Sequence, residues 1–277
     1  MAKNDEKNKK KALKISRKKT LNILFFSGFF IIFLSFGEKN GGFEYFLSKN
    51  DQNNTFSINE KLKYKISYGK KNKRRGAIFA AHAHFYVQDS VINKKPVYKL
   101  SGRGKTTRLF SLFMNVEHYY TSIVDQNQLN TLECKMNIRE GKYKKTDQLN
   151  LHSDIYLETK TINDVLGVVY KLRTIPHTEL ISKDTIFFSY YYDKKIYDSY
   201  LVKIGKEKIK TKFGELNTVR YSPLLEKGRM FKQTTGATIW ISDDQRHIPI
   251  KIELPILVGS VYINLISYEN LFFDLKN

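Results

Sequence analysis

Lys61-Leu62-Lys63-Tyr64-Lys65-Ile66-Ser67-Tyr68 is the stretch that decides the fold. Leu62, Tyr64, Ile66 and Tyr68 alternate with Lys61, Lys63, Lys65 and Ser67, a period of two. In an extended chain that period puts the apolar side chains on one face and the lysines on the other. One buried face and one wet face is the mark of an antiparallel sheet that covers a core on one side. Phe56 and Ile58 extend the apolar side of the pattern upstream.

The same alternation recurs along the chain. Phe79, Ala81, Ala83, Phe85 and Val87 share a face, as do Leu132, Cys134, Met136 and Ile138. Later runs carry Ile186, Phe188, Tyr190 and Tyr192, then Ala237, Ile239 and Ile241, then Ile248, Ile250, Ile252 and Leu254. Turn residues separate them at Gly69, Gly141, Gly205, Gly214 and Asp243-Asp244. The count comes to about eleven to thirteen short strands, and a meander of that size must curl. The expectation is a mainly β chain, a half-open antiparallel β-barrel or curved sheet, with a helix against its concave face. That helix is read at Thr161 to Ile175: Thr161 and Asp164 have capping-box spacing, Val165, Val169 and Leu172 fall at i, i+4, i+7, and Pro176 stops it. Lys171 then falls on the wet side. Arg108 to Asn115 reads as a second, shorter helix or turn.

Outside the strands the chain opens with nine Lys or Arg in twenty residues against Asp5 and Glu6. The uncharged run Leu21–Gly37 follows. Basic start, apolar run and polar continuation are the order of a signal peptide or signal-anchor, and the cations stay on the cytoplasmic side. A full membrane span needs roughly 20 apolar residues, so this run lies between the two kinds of leader. The reading is a leader at 1–37, a linker at 38–55 and one β-rich domain at 56–277. The domain is expected in the periplasm, free or anchored to the inner membrane through an uncleaved leader. One cysteine, Cys134, excludes an internal disulfide. The net charge of +21 is spread through the strands and goes with abundant Lys, Asn, Ile, Tyr and Phe, so nucleic acid is not expected as a partner.

Three motifs invite chemistry. His82 and His84 emerge on one face of a strand, a chelating spacing, but no third ligand is assignable. Ser101-Gly102-Arg103-Gly104-Lys105-Thr106 ends like a phosphate loop, yet Lys99 stands where the first glycine belongs. Asp243 and Asp244 sit between two strands and read as a hairpin turn. No catalytic residue, metal or cofactor is assigned, and the chain is read as a non-enzyme.

Several segments carry a family resemblance: Glu60 to Gly69, Gly104-Lys105-Thr106 with Phe113 and Val116, Glu140-Gly141 with Tyr143, and Asp164-Val165 with Tyr170 and Arg173. Most specific is the C-terminal run Phe213-Gly214, Pro223, Gly228, Phe231-Lys232, Ile239 to Asp244, Ile248-Pro249 and Val258 to Val261. From Phe56 onward the chain resembles the bacterial envelope family known as domain of unknown function 3108. The resemblance implies export and a curved sheet like that of periplasmic lipoprotein carriers. No catalytic residue transfers from it.

The functional expectation is a cell-envelope protein holding a lipid, acyl chain or other amphipathic ligand inside the curl. The expected lining is Val165, Val169 and Leu172 from the helix, with Tyr190 and Trp240 from strands. The alternative is a scaffold that binds another envelope component through a basic, aromatic surface. Cavity volume discriminates them: a carrier needs roughly 300–1,000 Å³ of preformed pocket.

Overall fold

The computed structural model describes residues 44–46, 55–70, 73–150, 162–177, 179–224, 236–256, 259–271 and 275. The apolar run Leu21–Gly37, most of the linker, Thr161, Gly228, Phe231-Lys232 and Val258 lie outside the described residues. Among the described residues no helix is long and apolar enough to cross a membrane.

The chain is mainly β. In order it forms β1 (Glu44–Phe46), β2 (Lys61–Lys70), β3 (Lys73–Ile92), β4 (Lys95–Thr106), α1 (Arg108–Ser111), β5 (Val116–Asp125), β6 (Thr131–Glu140) and β7 (Tyr143–Asn150). Then come β8 (Asn163–Asp164), α2 (Val165–Arg173), β9 (Thr185–Tyr192), β10 (Lys195–Thr211), β11 (Gly214–Pro223), β12 (Thr238–Ser242), β13 (Pro249–Pro255) and β14 (Ser260–Glu269). One sheet runs β1-β9-β10-β11-β12-β13-β14-β2-β3-β4-β5-β6-β7, with β8 paired to β9 off the path. From β9 to β7 every pairing is antiparallel, while β1 and β8 both add to β9 in parallel.

The sheet curls until its ends approach without pairing. Lys145 on β7 forms an ion pair with Asp193, in the β9–β10 turn. Tyr191 on β9 donates to Asp147 on β7 at 3.5 Å. Helix α2 fills the space inside and touches β4 and β5 on one half, β8 and β9 on the other. The apolar side of the opening stretch behaves as its alternation requires: Leu62, Tyr64 and Ile66 are buried in the core, and Lys61 and Lys65 are exposed. Ile58 is 47% exposed, because the strand begins at Lys61 and the alternation does not reach back that far.

Helix α2 is shorter than the sequence suggests. Asp164 is its N-cap, accepting from Leu166 N and Gly167 N at 3.4 and 3.0 Å, where a capping box would have placed it one turn inside. The same carboxylate also accepts from Ser122 and from Thr131 Oγ1, which tie it to β5 and β6. Gly167 has a reason of its own: a Cβ there would stand 2.3 Å from Thr131 Oγ1. Only glycine lets the helix approach β6 so closely.

Lys171 is a second correction. It is buried, with Nζ donating to Asn130 Oδ1 at 2.9 Å. Burial holds its pKa below the ordinary lysine value, with Asp125 opposing. A helix inside a curl has no wet side, so its polar residues must find partners within the protein.

Candidate functional site

Strand register builds the outer face. Arg220, Trp240, Lys251, Asn264, Lys65, His82, Lys105, Glu117, Arg139 and Lys144 stand directly opposite one another on successive strands, β11 to β14 and then β2 to β7. Six of these are Lys or Arg, and one is acidic. Glu117 is already engaged by Arg103 at 2.5 Å and Lys105 at 3.8 Å, so the belt stays positive. Aromatic rings lie among the cations: Lys251 Nζ is 4.1 Å from the Trp240 ring and Lys65 Nζ 5.0 Å from Phe79. Such contacts hold long side chains upright over the sheet.

At the middle of this belt lies a cleft of about 190 Å³. It opens between the tip of the β10–β11 hairpin and strands β13, β14 and β2. Lys65, Lys210, Lys212 and Lys251 line it, with Ser67, Thr211 and Asn264. No carboxylate is among its lining residues. Lys251 pairs at the rim with Glu253 at 2.8 Å. Four ammonium groups and three uncharged donors around one cleft suit an anion.

A second cavity stands at the seam where the barrel does not close. Cys134, Met136, Leu149, Val165, Tyr191 and Tyr192 give it an apolar lining, and its volume is about 20 Å³. That is room for about one water. Burial pushes the Cys134 thiol up and raises Tyr191 and Tyr192 to about 12. These groups are uncharged near neutral pH, as an apolar seam requires.

The interior ends in a polar knot at the helix C-terminus. Arg173 donates to Glu60 through two nitrogens at 2.7 and 2.9 Å, to Thr55 O at 3.1 Å and to Arg246 O at 3.1 Å. Both partners are buried, and the guanidinium lies over the Phe56 and Tyr170 rings. Burial opposes its charge, and Glu60 outweighs burial, so the pKa of Arg173 sits above its ordinary value. Beside this pair, His247 Nδ1 meets Arg173 O at 2.6 Å, and the His177 and His247 rings lie 4.3 Å apart. Every group in the knot is held by another part of the fold, which makes it a brace.

The expected lining residues are not brought together. Val165 lines the seam cavity. Leu172 and Tyr190 are buried in the main core, and Val169 is half-buried against it. Trp240 is on the other face. Its strand neighbours Ile239 and Ile241 point into the core, so period two turns Trp240 outward, where its indole N–H donates to Glu207 at 2.8 Å. Large aromatics favour cores, which suggests an inward Trp240, but the strand period outweighs residue type.

The remaining motifs resolve into structure. His82 and His84 do share the outer face, with ring centroids 6.1 Å apart. Burial first, then Lys63 with Lys65 or Arg103, holds both below the ordinary histidine pKa. Among the described residues no group of three His, Cys, Asp or Glu is placed to hold a metal ion. The Ser101–Thr106 segment lies within β4, paired on both sides. Asp243 and Asp244 make the β12–β13 turn: Asp243 pairs with Lys206 at 2.7 Å, and Asp244 accepts from Arg246 N at 2.9 Å and from Ser242 Oγ at 2.9 Å. Sequence reasoning misses the lysine cleft because it depends on which strands are neighbours. The alternation exposes Lys65 and Lys251, but only the pairing of β14 between them brings them together.

Curled sheet, enclosed helix and basic outer face define a class: a half-open β-barrel domain with a helix inside its curl. Within that class the chain belongs to the DUF3108 family of proteins of unknown function, whose family model matches residues 63–266. No curated protein matches the sequence. Among solved structures, a beta-barrel-like protein of domain of unknown function 1849 from Brucella abortus is similar with 8% identity and a TM-score of 0.46. That match covers 76% of this chain and 97% of the other. A protein described as exported, with a YmcC-like fold, from Bacteroides fragilis is similar with 8% identity and a TM-score of 0.29, over 78% of this chain and 97% of that one.

Proposed function

We propose that this chain is a non-enzymatic cell-envelope protein that binds an anionic envelope component in the lysine cleft of its outer face. The lining of that cleft carries the reading: Lys65, Lys210, Lys212 and Lys251, without a carboxylate among them. Inorganic tripolyphosphate is a suitable probe, with binding to the full chain measured by calorimetry. A charge-assisted hydrogen bond contributes about 1.5–3 kcal/mol, so Lys65→Gln with Lys251→Gln weakens binding by about tenfold or more. Added salt weakens it further, because the site is open to solvent. Lys208→Gln, a surface lysine paired with Glu215 at 3.5 Å, leaves binding unchanged. Equal binding by all three proteins sinks the reading.

A second reading keeps the amphipathic ligand. It rests on the apolar lining of the seam between β6, β7 and β9, which an acyl chain would have to part in order to enter. Saturable binding of a fluorescent fatty-acid analogue, reduced by Leu149→Trp, supports it; the absence of saturable binding removes it. In either reading the domain works beyond the cytoplasmic membrane, delivered by the apolar run Leu21–Gly37. A reporter active only outside the cytoplasm, fused after Asn277, tests that delivery.

A further inference from the structure

The β4–β5 connection is the most exposed apolar feature among the described residues. Leu109, Leu112 and Phe113 are 67%, 79% and 76% exposed, all within five consecutive positions. Single exposed apolar residues are ordinary, but a contiguous group marks a contact surface.

This connection is not a loose loop. Thr107 caps α1 by accepting from Phe110 N at 3.2 Å, and its own N–H donates to Ala80 O at 2.8 Å. Phe110 packs against the core and Met114 is buried, so two residues of the segment anchor it. Asn115 O accepts from Gly141 N at 2.7 Å, which joins the connection to the β6–β7 turn. The three outward side chains are therefore presented by a braced platform.

Cations flank the platform. Lys105 is the last residue but one of β4, Arg108 begins α1, and Lys142 occupies the adjoining turn; all three are exposed. The neighbouring acids are already engaged: Glu117 with Arg103 at 2.5 Å and more loosely with Lys105 at 3.8 Å, and Glu140 with the buried His118 at 3.0 Å. Apolar side chains at a tip with basic residues around them match the interface of an anionic bilayer, where rings and methyls enter the acyl boundary and cations stay at the headgroups.

We infer that this tip docks onto an anionic lipid surface, with Leu109, Leu112 and Phe113 entering the interface and Lys105, Arg108 and Lys142 meeting the headgroup phosphates. This goes beyond the lysine cleft, which lies on another part of the surface and uses none of these residues. The occupant is a bilayer and not a second copy of the chain, because a self-contact would set the same cations against each other.

Phe113→Trp in the full chain tests it. The native chain has one tryptophan, Trp240, which is buried, so the new indole reports the tip. Vesicles of phosphatidylglycerol and phosphatidylcholine carrying brominated acyl chains are compared with phosphatidylcholine vesicles carrying the same label. The N-terminal apolar run can attach the chain to both, and the indole reads the tip alone. The expected result is a blue shift with quenching on the anionic vesicles only. Arg108→Gln and Lys142→Gln should each weaken that response, by about fivefold for each cation removed. An indole that stays in water on both vesicles overturns the proposal. So does equal quenching on neutral vesicles, and so does a concentration-dependent blue shift without vesicles, which would mean self-association. An unchanged unfolding midpoint in all variants shows that the fold is not the variable.

Discussion

The inside of the curl and its outside are built from the same strands but obey opposite rules. Inside, charge is claimed: Asp164 by Ser122, Thr131 and the helix N-terminus, Arg173 by Glu60 and two carbonyls. Outside, cations crowd together with too few carboxylates to match them, most of all in the cleft of Lys65, Lys210, Lys212 and Lys251. A buried ion without a partner costs several kcal/mol, whereas an exposed one costs little. Unmatched charge on the surface is thus tolerated by the fold, and the proposed binding draws on its concentration there. Matched charge in the interior points to stability. That difference can be broken or sharpened by substitution.

The largest effect is expected at the polar knot. Arg173→Met leaves Glu60 buried without its cation, and breaking a buried pair costs about 3–5 kcal/mol. Urea unfolding of the variant should show a loss of that size, or no folded protein at all. The double variant Glu60→Leu with Arg173→Met should recover much of it, since no orphan charge remains. A single substitution that costs under about 1 kcal/mol would mean the knot does not brace the fold.

Next in size is Gly167→Ala. The added methyl meets Thr131 Oγ1 at 2.3 Å, and overpacking of this kind costs about 1–3 kcal/mol. Thr131→Ser would not relieve it, because the hydroxyl remains; Thr131→Val removes the hydroxyl but not the crowding. Unfolding midpoints of the three variants separate helix propensity, which favours alanine, from the close approach, which forbids it.

A smaller and pH-dependent effect belongs to the two neighbouring histidines. Burial first, then His247 and Lys203, holds His177 well below its ordinary pKa. Burial lowers His247 as well, against the pull of Arg173 O and Asp244. Both therefore favour the neutral form in the fold, while the unfolded chain takes up protons near pH 6.5. The unfolded state binds more protons as pH falls, so stability is complete above about pH 6.5 and declines below it. The slope is at most about 1.4 kcal/mol per pH unit for each histidine, reached only while that ring is protonated in the unfolded chain and neutral in the fold. His247→Asn, at a φ of 45° that asparagine accepts, should flatten the decline in unfolding free energy between about pH 7 and pH 5. An unchanged slope would place the acid sensitivity elsewhere.

How much of this the sequence discloses follows from the range of each interaction. Alternation is local, so the strands and the inward set Leu62, Tyr64 and Ile66 are legible directly. Curling follows from strand number alone. The buried Lys171 is not legible, because its partner Asn130 is 41 residues away and a helix inside a barrel breaks the rule of one wet face. The helix start shifts by one turn because Asp164 serves equally as a third residue or as a cap, and only its contacts with Ser122 and Thr131 decide. The cleft joins β2, β10 and β13, strands that the chain visits far apart.

The smallest effect on stability is expected where the effect on binding is largest. Lys65→Gln and Lys251→Gln remove charge from an exposed face, and surface substitutions of this kind usually change stability by less than about 0.5 kcal/mol. Lys251→Gln also gives up its position over Trp240, an interaction of about 0.5–1 kcal/mol at an exposed site. Lys251→Gln, which also loses the Glu253 pair, should therefore destabilise slightly more than Lys65→Gln, which gives up only the longer 5.0 Å contact with the Phe79 ring. Removing like charges from a crowded belt offsets some of the difference, since net charge far from zero strains the compact state. The measurement is a pair of curves for each protein: urea unfolding for stability and tripolyphosphate titration for binding. If the lysines only decorate the surface, both curves stay where they are. If the cleft is a site, the unfolding midpoints stay close together while the titrations separate by an order of magnitude. A large loss of stability at Lys65 would instead make the outer lysines part of the brace, and the contrast between the two faces would fall with it.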